Sequence, residues 1–263
     1  APEIAFGGQL NDTEIEVNNS ATLVQTNSDL NAIGVTLVLN DTAVYNATGY
    51  TMAWGQNAGN ASTLTLNDSA SLSALNLQVG KISQGIVNQN GGSVALTGDL
   101  RLSLENTASP ASRYNLAAGT VTVAGGFSIG GLDAGADGGS YFNFTPGSTG
   151  SITIMTAGYN FGTKIDAGEI RVDDIAYTSS DNILLIDSSV PGQTTLSLNP
   201  YPGLIAQFWT GNTSSAIGDN GNWSGTGNPL GAAGTKIGVI DDNGANAPEI
   251  AFGGQLNDTE IEV

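Results

Sequence analysis

The chain alternates apolar and polar residues over short stretches that end at glycine or asparagine corners. The apolar positions of one stretch recur 27 residues later in the next, in the pairs Val94 and Val121, Leu96 and Val123, Leu100 and Phe127, and Leu102 and Ile129. Alternation with period two is typical of β-strands. A constant offset between equivalent positions predicts coils that stack on one another, as in a parallel β-solenoid.

An apolar residue followed by Asn marks one corner of each predicted coil. The six corner asparagines are Asn11, Asn40, Asn67, Asn88, Asn115 and Asn143. Stacked coils lie about 4.8 Å apart, so a buried corner Asn can bond to its equivalents above and below. We therefore predict one ladder of six side chains. The alternative, that turns simply favour Asn, stays open for each of them.

The predicted fold class is all-β, a parallel β-solenoid (β-helix) with coils of about 27 residues. A sandwich or barrel would also contain many short strands, but gives no reason for a constant offset. We predict a solenoid over residues 1–198, an aromatic, Gly/Asn-rich junction or cap over 199–234, and the start of a further solenoid unit over 235–263. The segments 163–174 and 235–242 are predicted to be related edge or corner strands, and no capping helix is evident.

Residues 1–17 and 247–263 both read APEIAFGGQLNDTEIEV, which gives a period of 246 residues. The copy is a recent duplication, a designed copy, or a long repeat that runs past its own end. We expect it to mark the place where one unit meets the next. The apolar residues expected at this contact are Ile4, Phe6, Leu10 and Ile15 with their copies Ile250, Phe252, Leu256 and Ile261.

The composition disfavours several classes of function. Six basic against 24 acidic residues argue against nucleic acid or an anionic membrane surface as partners. With no Cys and no His, thiol chemistry, the common catalytic triads and most zinc sites are excluded. No apolar run approaches the ~18 residues of a membrane-spanning helix.

Enzymatic candidates are few. Asp173 and Asp174, with Asp166, Glu169 and Arg171 nearby, form the best carboxylate cluster for work on a glycosidic bond. Adjacent strand residues point to opposite faces, so both aspartates face one substrate only if the strand ends there. We expect no enzyme and no catalytic residues.

Two further kinds of site were considered. Calcium is a weaker candidate, at Asp133 and Asp137 and at Asp241 and Asp242, because the spacing fits no known loop and solvated turns are favoured; otherwise no cofactor is expected. Possible glycosylation sites away from the ladder are Asn46, Asn60, Asn212 and Asn222. Trp54, Trp209 and Trp223 could stack on sugars, but plugging a core end is favoured.

The phrases NQNGGSVALTGDLRLS, from Asn88, and YNLAAGTVTVAGGFSIG, from Tyr114, resemble autotransporter-associated β-strand repeats of bacterial secreted and cell-surface proteins, often of the PEP-CTERM type. FWTGNTSSAIGDNGNWS followed by TKIGVID resembles the opening segment of such passengers. The resemblance implies a parallel β-helix outside the cell that usually serves as a scaffold. The 246-residue identity departs from that pattern.

These observations lead to one expected function and two rivals. The expectation is a structural subunit or tandem repeat unit of an extracellular filament, stalk or matrix fibre, whose partner is another copy of itself. The rivals are a surface adhesin that binds glycans and, less favoured, a polysaccharide lyase or hydrolase.

Overall fold

The structure is a computed structural model, and it describes residues 3–56, 60–102, 111–130, 139–200, 205–210, 212–213, 220–223, 236–239 and 260–262. The chain folds as a β-solenoid of about six turns with about 26 residues per coil. The predicted fold class is therefore confirmed.

Two sheets form the walls of the solenoid. The strands of sheet A are β1 (Glu3–Asn11), β3 (Thr22–Ile33), β5 (Val44–Trp54), β7 (Ser71–Val79), β9 (Ser93–Leu96), β10 (Leu100–Leu102), β12 (Thr120–Val123), β13 (Phe127–Ile129), β15 (Ser151–Ile154), β18 (Leu184–Asp187) and β19 (Thr194–Leu198). They lie in the order β1-β3-β5-β7-β9-β12-β15-β19-β18, while β10 pairs with β7 and β13 pairs with β10.

Sheet B forms the opposite wall. Its strands are β2 (Glu14–Val17), β4 (Thr36–Leu39), β6 (Ser62–Leu66), β8 (Gly85–Gln89), β11 (Arg113–Leu116), β14 (Tyr141–Phe144), β16 (Ile170–Val172) and β17 (Ile175–Ala176). They lie in the order β2-β4-β6-β8-β11-β14-β16-β17, and each coil from β2 to β16 adds its strand in parallel to the one before.

A third sheet, sheet C, contains β20 (Ile205–Phe208), β21 (Lys236–Val239) and β22 (Glu260–Glu262). The strands pair in parallel in the order β20-β21-β22. Thus the segment that was predicted to be a junction also contains a strand, β20, which belongs to the same sheet as the predicted start of the next unit.

The core lies between sheets A and B, and the predicted register places its side chains. Val121 pairs with Val94 on one side and with Ile152 on the other, as the 27-residue offset predicted. Alternate residues of each strand point inward and pack in columns. The column around Val121 contains Leu23, Tyr45, Leu72, Val94, Val121, Ile152 and Leu196, all at most 2% exposed.

The Asn-Asp-Thr and Asn-Asp-Ser phrases form tight turns between sheets. Asp41 and Asp68 have φ angles of 57° and 53°, in the left-handed region that Asn and Asp tolerate better than most residues. Where the phrase becomes Asn-Gly-Gly, Gly92 has a φ of 65°, and a Cβ there would lie 1.9 Å from the Ala70 carbonyl oxygen. Glycine is required at that turn because a side chain would strike the coil below.

Parallel stacking stops at the C-terminal end of the solenoid. β19 pairs with β15 in antiparallel fashion, β18 does the same with β19, and β17 folds back on β16. Helix α1 (Phe161–Asp166) buries Phe161 and Ile165 against the core, and Asn160 caps its first turn. The expectation of an edge strand over 163–166 and of no capping helix is therefore wrong, because two apolar residues one helical turn apart cover the open core end.

Candidate assembly site

Asparagine side chains form two hydrogen-bonded ladders between coils instead of one. In the first ladder, Asn40 Nδ2 donates to Asn18 Oδ1 (2.7 Å), Asn67 donates to Asn40 (2.7 Å) and Asn90 donates to Asn67 (2.8 Å). The first ladder thus links four consecutive coils at the end of sheet B. It ends after Asn90, because the next coil has Ala117 in the corresponding position.

The second ladder lies two residues earlier along the strands. Asn115 Nδ2 donates to Asn88 Oδ1 (2.9 Å), and Asn143 donates to Asn115 (3.3 Å). Asn143 Oδ1 in turn accepts the Asp174 backbone N–H of the terminal hairpin (3.0 Å). Asn143 is 4% exposed, whereas Asn88 and Asn115 are half-buried on the outer side of sheet B. The ladder therefore fastens the hairpin to the last coils.

These ladders correct the single predicted ladder at two places. Asn11 lies at the end of β1, in register with Ile33 of sheet A, and is not below Asn40. Asn88 is in register with Thr65, so the neighbour of Asn67 is Asn90. The reason is that coil lengths vary: Asn18 stands 22 residues before Asn40, although Asn67 stands 27 residues after it. Matching by wording alone selected the wrong asparagine.

A further row of polar groups links coils along sheet A, and the sequence reasoning missed it. Asp29 Oδ1 accepts the Thr51 N–H (2.8 Å), Thr51 Oγ1 accepts Asn76 Nδ2 (3.0 Å), and Asn76 Oδ1 accepts the Asp99 N–H (2.7 Å). Asp99 Oδ1 then accepts the Gly126 N–H (2.6 Å), and this bond, with help from Arg101, holds the pKa of Asp99 below its usual value. Each member of the row directly precedes an inward apolar residue, a signal visible at the same offset.

Two glutamines are buried inside the core, each held by a tyrosine of a later coil. Tyr45 donates its hydroxyl to Gln25 Oε1 (3.1 Å), and Tyr114 donates to Gln89 Oε1 (2.6 Å). Burial raises the pKa of Tyr45 and Tyr114 above the usual range of a phenol. Gln89 Nε2 bonds to the Gly92 and Thr120 carbonyls (3.3 and 3.2 Å), so the amide is satisfied on both sides.

The N-terminal end of the solenoid carries the first copy of the duplicated segment. Leu10 and Ile15 are half-buried and pack against the core, while Ile4 and Phe6 lie in β1 in register with β3. In the described part of the chain, β1 pairs only with β3, and β2 pairs only with β4. Both first strands therefore have one edge without a neighbouring strand.

The hydrogen-bond pattern shows which peptide groups of β2 face its free edge. Thr13 O accepts the Thr36 N–H (2.9 Å) and Val17 O accepts the Asn40 N–H (2.9 Å), so odd-numbered residues face β4. In a parallel pair, the peptide groups of alternate residues point to opposite neighbours. Those of Glu14 and Glu16 consequently point away from β4.

The second copy of the segment contains β22, whose residues Glu260–Glu262 repeat Glu14–Glu16. β22 pairs in parallel with β21, in the register Ile237 to Glu260 and Val239 to Glu262. The same three residues therefore pair with a preceding strand in sheet C and with a following strand in sheet B. Ile261 lies in β22, whereas Ile250, Phe252 and Leu256 lie outside the described residues.

The carboxylate cluster proposed for catalysis makes structural bonds. Asp173 and Asp174 have φ angles of 53° and 61° and form the turn between β16 and β17. Asp174 Oδ1 accepts the Tyr141 hydroxyl (2.8 Å), and Asp166 Oδ1 accepts the Ser179 N–H (2.7 Å).

The charged neighbours of that cluster also hold the cap in place. Glu169 pairs with Lys164 at 2.8 Å. The Arg171 guanidinium lies 4.1 Å from the centre of the Tyr141 ring. Burial, together with the charge of Glu169, raises the pKa of Tyr159 to about 12.

The candidate metal and glycan sites differ in outcome. Asp133, Asp137, Asp241 and Asp242 lie outside the described residues, and within the described ones no group of three or more acidic side chains is arranged to hold a metal ion. Asn46, Asn60 and Asn212 are exposed.

Asn222 corrects the glycosylation prediction. Its side chain is fully buried and accepts the Thr213 N–H at 2.8 Å. The folded protein therefore cannot be glycosylated at Asn222.

The three tryptophans are buried. Trp54 and Trp209 are 0% exposed and Trp223 is 4% exposed. The rings of Trp209 and Trp223 meet edge to face with centroids 5.4 Å apart, across a short antiparallel bridge. Buried indole faces are not open for stacking on a sugar ring.

Two comparisons complete the description of the site. None of the helices in the described ranges has the length and apolar character needed to cross a membrane. No family model, curated protein or solved structure matches this chain.

Proposed function

We propose that the protein is a structural subunit or tandem repeat unit of an extracellular filament, stalk or matrix fibre, in which units join head to tail. One observation carries the proposal: a strand identical to the first strand of sheet B recurs as β22, where it pairs with a different neighbour. A contact that uses two different surfaces of the unit and does not close on itself gives an open filament.

The two ends of the solenoid favour strand exchange over simple stacking of ends. At the C-terminal end, the antiparallel hairpins and α1 cover the last coil, and β17 is only two residues long. At the N-terminal end, β1 and β2 present unpaired peptide groups, which tend to recruit another strand. The duplicated segment supplies strand material that is suited to that edge.

The inter-coil bonds support a scaffold role. Both asparagine ladders, the polar row along sheet A and the Gln–Tyr pairs connect one coil to another. Such repetition gives a rod whose strength comes from many equal contacts. The best carboxylate cluster also serves the terminal hairpin and cap, which favours a scaffold over a glycosidase.

Sedimentation velocity over a series of protein concentrations tests the proposal. We expect species larger than one chain whose share and size grow with concentration. Screening of the net charge of −18 by added salt should increase that share. A single species with the mass of one chain at every concentration and salt level would contradict the proposed function.

A further inference from the structure

We infer that the free edge of β2 is the acceptor for β21 of a second copy of this chain. The register is Ile237 opposite Glu14, Gly238 opposite Ile15 and Val239 opposite Glu16. This inference rests on the proposed function, for which it supplies the contact between units. If the units are instead covalent tandem repeats, β22 is the β2 of the next unit and the register is unchanged.

The register comes from the identity of the two copies. β22 pairs with β21 as Ile237 to Glu260, Gly238 to Ile261 and Val239 to Glu262. Glu14, Ile15 and Glu16 occupy the same places in the first copy. Any peptide geometry that β21 accepts from β22 is therefore also available from β2.

The pairing edge of β2 is free for this contact. The peptide groups of Glu14 and Glu16 point away from β4, because Thr13 and Val17 accept from β4. In the described residues β22 has β21 as its only neighbour, whereas β2 is already ordered against β4. Replacing β22 by β2 thus keeps the same backbone bonds and adds a strand whose ordering cost has been met.

Charge selects β21 over a second β2 as the occupant. If two copies of β2 paired in register, Glu14 and Glu16 would face their own equivalents, and like charges directly opposite each other destabilise a sheet. The sequence of β21, Lys236–Val239, contains no acidic residue. Acidic side chains on the free edge therefore discourage β2 from pairing with itself.

The chain cannot make this contact with its own β2 while β20 and β21 stay paired. Seven Cα steps join Leu198 of β19 to Ile205 of β20 and span at most ~24 Å. β19 lies seven strand positions from β1 in sheet A, and β20 would lie two positions beyond β2. At about 4.8 Å per position the required span is about 43 Å, so the partner must be another copy.

The test uses full-length chains that each carry one added cysteine, since the parent has none. A Glu14→Cys chain and an Ile237→Cys chain are unfolded together, refolded together and oxidised. Strands about 4.8 Å apart meet the Cα separation of a disulfide. We expect a reductant-sensitive species with the mass of a dimer that contains one chain of each kind.

The matched control replaces Glu14→Cys with Ile15→Cys. Ile15 is half-buried against the core, on the opposite face of β2 from the exposed Glu14, so that thiol should not reach. Circular dichroism checks the fold of each variant, and Glu16→Cys with Val239→Cys serves as a second pair if the first fails to fold.

The outcomes separate the contact from the function. Equal cross-linking in the control, or no cross-linking while sedimentation still shows large species, overturns this register and leaves the filament. No cross-linking together with a single-chain species at every concentration overturns both.

Discussion

Asn67 is the residue on which the first ladder depends most, because it donates to Asn40 and accepts from Asn90. It lies half-buried between two coils, where water replaces a lost partner poorly. Asn18, at the end of the same ladder, is exposed and makes a single ladder bond. Identical residue types in one ladder thus differ in the bonds that they make.

We expect Asn67→Ala to lower the free energy of unfolding by about 1–3 kcal/mol, because two side-chain bonds between coils are lost. Asn18→Ala is the control and should cost less than about 1 kcal/mol. Urea unfolding followed by circular dichroism measures both. Equal effects of the two substitutions would contradict the ladder account.

Tyr114 gives a test by pH. Burial raises its pKa in the folded protein, so its neutral form stabilises the fold below pH 10 and that stability is lost as the pH rises further. Tyr114→Phe removes the Gln89 bond and should cost about 1 kcal/mol at pH 8.

At pH 11 the parent should lose about 1.4 kcal/mol through this residue, because the unfolded phenol ionises and the folded one does not. The variant escapes that loss, so its difference from the parent should shrink. Urea unfolding at pH 8 and pH 11 measures the change. A difference that stays constant between the two pH values would show that Tyr114 is not held neutral.

At the scale of elements, the strands and their register follow from the period-two pattern and the 27-residue offset. Thr120–Val123 and Ser151–Ile154 align as that offset predicts. The offset fails where coil length changes, since a turn of four residues after Asn67 becomes three after Asn90. A sequence comparison made at one fixed spacing could not find Asn18 or Asn90.

The C-terminal cap was hidden for a different reason. Helix α1 has six residues, too few for a recognisable helical period. The Asp173-Asp174 turn could be recognised as a corner, but its hairpin partner β17 has only two residues. The free edge of β2 was suggested by the repeated segment, whereas its orientation required the hydrogen-bond pattern.

Val123 tests the assignment of the core at this scale. It is 0% exposed, so Val123→Asp places a carboxylate between two coils and should cost more than about 4 kcal/mol. Thr122→Asp changes the next residue of the same strand, which faces outward, and should cost no more than about 1 kcal/mol. Thermal melts followed by circular dichroism compare them, and similar melting temperatures would contradict the assigned faces.

Glu14 tests the acceptor edge without disturbing β4. Glu14→Pro removes a backbone N–H that points to the free edge, so we expect a large loss of assembled species in sedimentation velocity. Glu14→Ala keeps that N–H and should assemble at least as well as the parent. Assembly by the proline variant at the parent level would mean that another surface joins the units.

At the scale of the whole molecule, the solenoid is a short rod with one capped end and one open edge. Sheet C carries a copy of the first strand of that open edge. If β21 of one unit pairs with β2 of the next, sheet B continues from unit to unit. Each unit then contributes the eight strands of sheet B together with β20 and β21.

Electron microscopy of the assembled protein tests this account most directly, through the axial repeat of any fibre. Ten strand positions at about 4.8 Å each predict a repeat of about 48 Å. Fibres with that repeat are the expected result. Dispersed particles of single-chain size, at concentrations where the parent should assemble, would contradict the central claim that the duplicated strand joins one unit to the next.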